Sequence, residues 1–348
     1  MSGVQTLVVG PDEADQRLDR WMRRHFPQLS QVQIEKHCRK GEIRVDGGRV
    51  RANSRVSPGQ SIRIPPLPDA PLPRNPVPQA RRISDADAAM IRAAVIYRDD
   101  DIIVLNKPSG LATQGGSGQT RHVDGLAEAL CFDLPEKPRL VHRLDKDTSG
   151  VLLLARSQRV ASALNAAFRH RATRKIYWAA VAGVPHPARG VVRYGLVKAP
   201  GGGRGEGEKM LCIHPAEVDK VEGAKRATTD YTVISAAAKR CGWLALVPVT
   251  GRTHQLRAHM AEIGHPIIGD GKYGGSGQEN LGDGWGAQLG GEISRKLHLH
   301  ARSLTIRHPV SGAMLTFTAP MPDHMSRTWD FFGWHPTDAP ADPFEDEE

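Results

Sequence analysis

The feature that most constrains the fold is the segment 142–150, His-Arg-Leu-Asp-Lys-Asp-Thr-Ser-Gly, which leads directly into the apolar run 151–155. Residues 140–141 precede it as a short strand, and the run 151–155 is predicted to be a buried strand. Residues 147–150 are typical of a turn between the two strands. Asp145 is therefore expected on a connection between core strands, which is a rigid position for a reactive carboxylate.

The alternative for Asp145 is a turn former, which is the more common role for an aspartate close to a glycine. Two other features of the sequence favour the reactive carboxylate. Arg143 lies two residues earlier, and a second polar segment, Gly-Arg-Thr-His-Gln-Leu-Arg at 251–257, follows later in the chain.

At these residues the chain resembles the RluA family of pseudouridine synthases. Matching motifs occur in order across roughly residues 95–320, and an ordered set is far more specific than any single motif. The three main motifs are His142–Asp145 with Thr148–Gly150, Lys175–Gly183 and Gly251–Arg257, and the shorter matches are Lys107–Gly110 and His300–Ala301 with His308–Pro309.

The net charge of +9 is unevenly distributed over the 348 residues, a length that accommodates a full-sized core and a second, smaller domain. Residues 338–348 hold six acids and no base, so the rest of the chain carries +15. This excess favours a polyanionic partner, most simply nucleic acid. An anionic membrane is disfavoured, because the sequence has no basic amphipathic helix and no lipidation motif.

The four cysteines are scattered without a C-x-x-C pair, which indicates a reducing compartment rather than disulfides or a zinc site. The first residues do not resemble a signal peptide, and no apolar run approaches membrane-spanning length. We therefore expect a cytoplasmic protein that contacts no membrane.

Residues 14–64 are predicted to form a small α/β module, with two helices followed by short strands. Between Arg17 and Arg63, twelve lysines and arginines stand against four acids, an excess best explained by phosphate contacts. The helix–helix–strand order resembles the α-L RNA-binding domain of a small-subunit ribosomal protein. In the second helix Val32 and Ile34 are predicted to point inward. The resemblance implies that this helix and the following loop face RNA through four residues: Lys36, Arg39, Lys40 and Arg44.

The rest of the chain is predicted to comprise a proline-rich linker at 65–93, a catalytic body at 94–328 and a disordered acidic tail at 335–348, with a flexible loop at 201–207 inside the body. Strands and helices alternate without a regular βαβ period. The body is therefore expected to be α+β, with a mixed, largely antiparallel sheet flanked by helices. The resemblance implies the same architecture, because the pseudouridine synthase fold is a bent mixed sheet with its active cleft across it.

The resemblance also implies a reaction that breaks the C1′–N1 bond of a uridine, rotates the uracil and rejoins it through C5. No external atom enters or leaves, so neither a metal nor a redox cofactor is expected. His298 and His300 are interpreted as structural, since no third ligand stands at metal spacing. Asp145 would either add to C1′ or remove the C2′ proton, and the sequence leaves both routes open.

Four arginine and tyrosine roles follow from the resemblance. A buried carboxylate needs a fixed cation to stay ionised, and Arg252 is implied for this role at the start of a helix predicted over 253–262. Arg257, one turn later, is expected to meet phosphate. Tyr177 would pack its ring against the flipped uracil, and its hydroxyl is a candidate to assist C5 deprotonation, although an aromatic residue in a strand is more often core. Arg143 would fill the gap that the flipped base leaves.

Three functions are considered. The leading one is a monomeric RNA pseudouridine synthase that acts on ribosomal RNA, of the large subunit because the N-terminal module and residues 107–118 resemble that branch of the family. The second is a non-catalytic RNA-binding or ribosome-assembly factor that keeps the fold. The third is a base-excising glycosylase, which would release free uracil.

Overall fold

The computed structural model describes residues 3–13, 16–67, 83–115, 121–199, 209–274 and 293–345. The chain divides into two compact units, Met1–Arg82 and Ile83–Glu348. Parts of three predicted segments lie outside the described residues. These are the centre of the linker at 68–82, the loop at 201–207 and the last three residues of the tail, 346–348.

The first unit packs two helices against short antiparallel strands. α1 is Leu18–His25 and α2 is Gln31–Lys40; a capping box at Ser30 begins α2, and Gly41 ends it in the left-handed conformation. The strands are β1 (Gln5–Val8), β2 (Gln16–Arg17), β3 (Arg44–Val45), β4 (Gly48–Arg49), β5 (Arg55–Val56) and β6 (Ser61–Ile64), and a short 3-10 helix covers Pro11–Glu13. They pair in the order β1-β6-β3-β4, with β2 paired to β5.

One apolar core, which includes Trp21 and Ile34, holds this unit together. The unit is larger than the predicted 14–64, because β1 pairs with β6 and Leu67 is buried in the same core. Residues 65–67 are therefore not linker. Val32 was predicted to point inward, but it is 73% exposed, since Ile34 and Cys38 form the buried side of α2.

The second unit is one large sheet with helices packed against it. The helices are α3 (Asp85–Ala93), α4 (Val123–Leu126), α5 (Gln158–Arg169), α6 (Gln255–Glu262) and α7 (Asp323–Phe332), with 3-10 helices at Ala127–Leu130 and Pro336–Asp338. The strands are β7 (Val95–Arg98), β8 (Ile102–Lys107), β9 (Arg139–Leu140), β10 (Ser149–Ala155), β11 (Thr173–Ala182), β12 (Arg189–Lys198), β13 (Met210–Ile213), β14 (Lys225–Ala237), β15 (Cys241–Pro248), β16 (Leu299–Arg307) and β17 (Met314–Thr318).

The sheet runs in the order β13-β12-β14-β15-β11-β16-β10-β8-β7, with β17 paired to β16 and β9 paired to β10. All of these pairings are antiparallel except β10 with β16, which are parallel. The predicted α+β class, with a mixed and largely antiparallel sheet flanked by helices, is therefore confirmed.

The apolar run 151–155 forms most of β10, and every residue of that strand is buried. Leu152 and Leu154 pack in a core with Ile91 of α3, whereas Val151 and Leu153 pack in the core that contains α5. Because successive side chains of a strand point to opposite faces, a strand covered on both faces is apolar throughout rather than alternating.

Two predicted segment boundaries are wrong. Residues 83–93 belong to the second unit rather than to a linker, because Ile91 of α3 is fully buried there and Arg92 Nε donates to Ala129 O at 2.9 Å. The described part of the predicted disordered tail, 335–345, is ordered. Trp334 is buried in an aromatic core, and Arg174 Nε and Nη2 both bind the Asp342 carboxylate at 2.8 Å. Across the described residues, no helix is both long and apolar enough to cross a bilayer.

Candidate active site

Asp145 lies on the loop between β9 and β10, where its side chain is 26% exposed. The neighbouring segment 107–113 fixes the backbone of this loop on both sides of the carboxylate. Thr113 Oγ1 donates to Leu144 O at 2.6 Å and accepts from Leu144 N at 3.2 Å. Gly110 N donates to Lys146 O at 3.0 Å. The backbone position of Asp145 is therefore set by hydrogen bonds on its two neighbours, as the preorganisation of a catalytic group requires.

Lys107, at the end of β8, is the buried centre of this support. Its Nζ donates to the carbonyls of Pro108 at 2.9 Å, Leu111 at 2.7 Å and Lys146 at 3.0 Å, which matches the three donors of an ammonium group. Burial lowers the pKa of the Lys107 amine to about 7, against the opposing effect of the negative charges on Asp147 and Asp145. The matched segment Lys107–Gly110 thus anchors the loop that carries Asp145.

Gly150, at the other end of the loop, allows β10 to approach β16 closely. Its φ is +109°, and a Cβ there would lie 2.2 Å from Ala301 O, so only glycine fits. His300 of β16 also joins the two strands. Its Nε2 donates to Ala319 O at 3.1 Å, and its Nδ1 accepts from Ser149 Oγ of β10 at 2.9 Å. His300 therefore has a structural role. His298 is similarly committed, with contacts to Lys296 O and Thr328 Oγ1 at 2.8 Å each.

Arg257, in the first turn of α6, is the cation beside Asp145. Its Nε and Nη2 donate to the two carboxylate oxygens of Asp270 at 2.7 and 2.8 Å, and its Nη1 lies 3.4 Å from Asp145 Oδ2. The Arg257 side chain is 6% exposed and that of Asp270 is fully buried. Burial lowers the pKa of Arg257, but the hydrogen bonds and charge of Asp270 together with the charges of Asp145 and Tyr273 leave that pKa above its ordinary value. One permanently charged guanidinium is therefore held between two carboxylates.

Two predictions about α6 are therefore corrected. Arg252 was expected beside Asp145, but it precedes the helix, is exposed, and its Nε donates to Arg226 O at 3.3 Å. Arg257 was expected to meet phosphate, but it is buried and paired with Asp270. The physical reason is the residue at which the helix begins. α6 starts at Gln255, so Arg252 lies on the exposed segment before it, whereas Arg257 lies in the run Gln255–Met260, in which every residue is buried.

A polar network beneath α6 fixes the position of its first turn. The Gln255 side chain accepts from Thr250 Oγ1 at 2.6 Å and from Arg252 N at 3.1 Å, and it donates to Thr228 O at 2.8 Å. His259 contacts Thr229 Oγ1 at 3.0 Å, and burial lowers the pKa of its imidazole to about 4. Buried hydrogen-bond networks of this kind make the geometry unique.

His254 and Tyr273 complete the surroundings of Asp145. His254 is the N-cap of α6 in the left-handed conformation, with φ of 51°, and its Nε2 lies 3.9 Å from Asp145 Oδ2. Its Nδ1 lies 3.0 Å from the Tyr273 hydroxyl, which accepts from Met210 N at 2.8 Å. Burial lowers the pKa of His254 despite the nearby Asp145 charge, and burial raises the pKa of Tyr273 to about 12.

Tyr177 lies on β11 opposite Ala301, which in turn pairs with Gly150 on the other side of β16. Its ring packs against the cores on both sides of this crossing. Burial and then the charge of Asp145 raise the pKa of the Tyr177 hydroxyl above its ordinary range. The hydroxyl is therefore protonated at neutral pH, and the packing of the Tyr177 ring against the uracil and the help of its hydroxyl in C5 deprotonation both remain predictions.

The remaining site residues from the sequence lie at the surface of their own units. Arg143 is exposed next to the Asp145 loop. In the first unit the four predicted RNA contacts are all exposed; Lys40 Nζ lies 3.7 Å from Glu42, and Arg44 donates to the carbonyls of Gly41 and Gly47. Contact with RNA remains a prediction for these residues: Lys36, Arg39, Lys40 and Arg44.

Asp99, Asp101 and His308 bring their oxygen and nitrogen atoms within 4.8 Å of one another, which is a spacing that a metal ion could use. The hydrogen bonds of His308 argue against it. Its Nδ1 accepts from Val310 N at 3.3 Å and Ser311 N at 3.1 Å, so the proton lies on Nε2, 3.2 Å from Asp99 Oδ2. A protonated Nε2 has no lone pair for a metal, and the group is better described as a histidine–aspartate contact.

Comparison with known proteins now decides the family. Residues 101–262 match RNA pseudouridylate synthase and residues 16–62 match the S4 domain. The ribosomal large subunit pseudouridine synthase C of Vibrio cholerae is 33% identical over 326 residues, which cover 93% of this chain and 95% of that protein. The chain belongs to the RluA-type RNA pseudouridine synthases.

Two further relatives of this pseudouridine synthase support the assignment. Mitochondrial RNA pseudouridine synthase 4 of Arabidopsis thaliana is 34% identical over 371 residues, covering 88% of this chain and 77% of that protein. The solved structure of human RNA pseudouridylate synthase domain containing 4 has a TM-score of 0.57 and 30% identity, covering 71% of this chain and 95% of that one. The synthase is therefore an isomerase that converts RNA uridine to pseudouridine.

Sequence reasoning missed three residues of the synthase site: His254, Asp270 and Tyr273. His254 stands within a matched motif, but its side chain was not given a role. Asp270 and Tyr273 follow the segment 264–269, in which no polar pattern distinguishes them. One signal was available for Asp270, because Arg257 shares a helical face with Met260 and a buried arginine requires an acidic partner.

Proposed function

We propose that this pseudouridine synthase modifies uridines of large-subunit ribosomal RNA in the cytoplasm, as a monomer. The proposal is supported by the relatives named for that substrate, which match both units of the chain. The S4 unit, with its twelve lysines and arginines between Arg17 and Arg63, would supply sequence-independent affinity through phosphate contacts. The second unit would supply the chemistry.

The observation that carries the catalytic assignment is the 3.4 Å contact between Asp145 and Arg257, whose side chains are 26% and 6% exposed. We assign Asp145 as the catalytic carboxylate, because it is the acid whose backbone is fixed on both sides and whose oxygen faces a buried cation. Arg257 places its positive charge beside Asp145 and holds the carboxylate in position. In this proposal Arg257 takes the role that the sequence implied for Arg252.

In the reaction, a target uridine leaves its stack and enters beside Tyr177. The C1′–N1 bond breaks as Asp145 either adds to C1′ or removes the C2′ proton, and both routes return the carboxylate unchanged. The uracil rotates, the C5–C1′ bond forms, the proton on C5 is lost and N1 gains one. Atoms and charge therefore balance without an external reactant. Arg143, exposed beside the loop, is assigned to fill the gap in the RNA stack.

Pseudouridine mapping of total RNA from cells that lack the protein tests the proposed target. Loss confined to positions in large-subunit ribosomal RNA is expected, and loss confined to transfer RNA would contradict the target while leaving the chemistry intact. Restoring the cells with Asp145→Asn should not restore the modification. Full modification by Asp145→Asn would favour a non-catalytic assembly factor, and chromatographic detection of free uracil from purified protein would favour a glycosylase.

A further inference from the structure

His254 is held so that one ring nitrogen faces the catalytic carboxylate. The residue adopts a left-handed backbone conformation, with φ of 51° and ψ of 21°, which is costly for a side chain with a Cβ and tends to mark functional positions. Its side chain is only 11% exposed, compared with 26% for Asp145. The imidazole is therefore largely buried beside Asp145 rather than exposed to solvent.

The ring is fixed from behind by a chain of hydrogen bonds. Met210 N donates to the Tyr273 hydroxyl at 2.8 Å, and that hydroxyl lies 3.0 Å from His254 Nδ1. Since the Tyr273 oxygen already accepts from Met210, its own proton is available for Nδ1. The Tyr273 ring is also fixed, because the Arg257 guanidinium lies 5.3 Å from its centroid. When the Tyr273 hydroxyl donates to Nδ1, the imidazole proton is on Nε2, which faces Asp145.

The distance between His254 Nε2 and Asp145 Oδ2, 3.9 Å, is too long for a direct hydrogen bond. One hydroxyl oxygen can lie within about 2.8 Å of both atoms, accepting from Nε2–H and donating to the carboxylate. A carboxylate alone could not provide this pairing, because it only accepts. The two side chains together are complementary to a group that is both donor and acceptor.

We propose that His254 and Asp145 together form the binding site for the 2′-hydroxyl of the target uridine. The inference rests on the proposed function, in which Asp145 acts at C1′ or C2′. The 2′-oxygen is bonded to C2′, so a carboxylate that reaches either carbon lies beside it. The 2′-hydroxyl is both donor and acceptor and is the group that distinguishes RNA from DNA. His254 is thereby assigned as a residue that contacts the substrate and selects ribose.

The test compares two synthetic RNA hairpins that carry a mapped target uridine either as the ribonucleotide or with 2′-deoxyribose at that position alone. The full-length protein is used, and the ratio of the two conversion rates is measured. His254→Met removes the donor, whereas His254→Gln has nearly the same length and keeps one. We expect His254→Met to reduce the ribose-to-deoxyribose rate ratio by roughly three- to tenfold. His254→Gln should retain most of the ratio.

Two further variants keep the test decisive. Tyr273→Phe removes the hydroxyl that directs the His254 proton and should lower the same ratio without altering His254. The control is His214→Met, because His214 is an exposed histidine whose imidazole accepts only from Ala216 N among the described hydrogen bonds, and it should leave the ratio unchanged.

An unchanged ratio in both His254→Met and Tyr273→Phe would overturn the assignment. Equal losses on the ribose and deoxyribose substrates leave the ratio unchanged, so in these variants they would also overturn it and would give His254 a role that does not involve the 2′-hydroxyl. The wild-type protein could convert neither hairpin although the mapped uridine depends on the gene in cells. The same comparison is then made with the native rRNA fragment, with ribose or 2′-deoxyribose at the target uridine. If the wild-type protein also fails on that fragment, the proposed function itself fails.

Discussion

Replacing Arg257 by lysine should separate the two interactions of its guanidinium, the pairing with Asp270 and the contact with Asp145. Arg257 uses Nε and Nη2 on Asp270 at 2.7 and 2.8 Å, and Nη1 approaches Asp145 at 3.4 Å. An ammonium group is a single point charge and cannot reproduce this fork. Because Asp270 is fully buried and needs the charge most, we expect the lysine to pair with Asp270 and leave Asp145.

The size of the effect on the rate is taken from a comparable loss in other enzymes. Removing one preorganised hydrogen-bond donor from an oxyanion hole costs about 2.7–4 kcal/mol in activation free energy, or roughly 100- to 1,000-fold in kcat, and we expect the same range when Arg257 leaves Asp145. Stability should fall less in Arg257→Lys than in Arg257→Met, in which Asp270 is left buried without a cation at a cost of about 3–5 kcal/mol. Urea unfolding measures the second quantity.

The rate is measured with rRNA fragments labelled with tritium at C5 of uridine, because the C5 hydrogen is released as the new carbon–carbon bond forms. The matched control is Arg252→Lys. Arg252 is exposed and donates to a backbone carbonyl at 3.3 Å, so this substitution should cost no more than about tenfold. If Arg252→Lys and Arg257→Lys are equally inactive while both remain folded, the pairing of Asp145 with Arg257 does not explain catalysis.

Three further predictions concern the supports of the site and the RNA-binding unit. Lys107→Met should lower kcat and destabilise the second unit by about 1–3 kcal/mol in urea unfolding, because Leu111 O is left buried without its donor; unchanged kcat would contradict the anchoring role. Acidification from pH 6.5 towards 4 should lower the free energy of unfolding by about 1.4 kcal/mol per pH unit for each of three buried histidines. Their pKa values in the folded protein are about 4, so in this pH range they bind fewer protons in the folded protein than in the unfolded chain. Replacing one of these histidines with glutamine should make the dependence of the free energy of unfolding on pH shallower. An unchanged slope would contradict the assignment of this pH dependence to the histidines. Alanine at four exposed bases should make the slope of log RNA affinity against log salt concentration shallower by roughly 0.7 for each phosphate that is no longer neutralised. An unchanged slope in filter binding would show that this face of the unit does not contact RNA. The histidines are His259, His298 and His300, and the four bases are Lys36, Arg39, Lys40 and Arg44.

Local sequence was enough to predict that Asp145 lies on a loop before a buried strand, although the side chains around its carboxylate come from distant segments. The buried strand after it requires an apolar run, and the close approach to β16 requires Gly150. The α+β class could also be predicted, because the order of neighbouring helices and strands along the chain shows no regular βαβ period.

The cation beside Asp145 could not be placed in the same way. Arg252 and Arg257 stand five residues apart in one motif, and the choice between them depends on where α6 begins. Asp270, which settles the choice, follows Gly269, whose φ of +75° and close approach to Lys296 O depend on a distant segment. The ordered tail was missed because its acids were counted as solvated charges, whereas Asp342 pairs with Arg174.

The parallel contact between β10 and β16 has a mechanical consequence for the enzyme. It joins the part of the sheet that carries Asp145 to the part that carries Tyr177 and supports α6, and it consists of only two residue pairs, Ser149–His300 and Gly150–Ala301. Leu152 and Leu154 of β10 share one core with Ala301 of β16, and Val151 and Leu153 share another with Leu304 and Ile306. A shear at this joint would therefore disturb these cores together with the 3.4 Å separation of Asp145 and Arg257. Changes at the joint, which need not touch a nucleotide, should therefore slow turnover while RNA still binds with its usual strength.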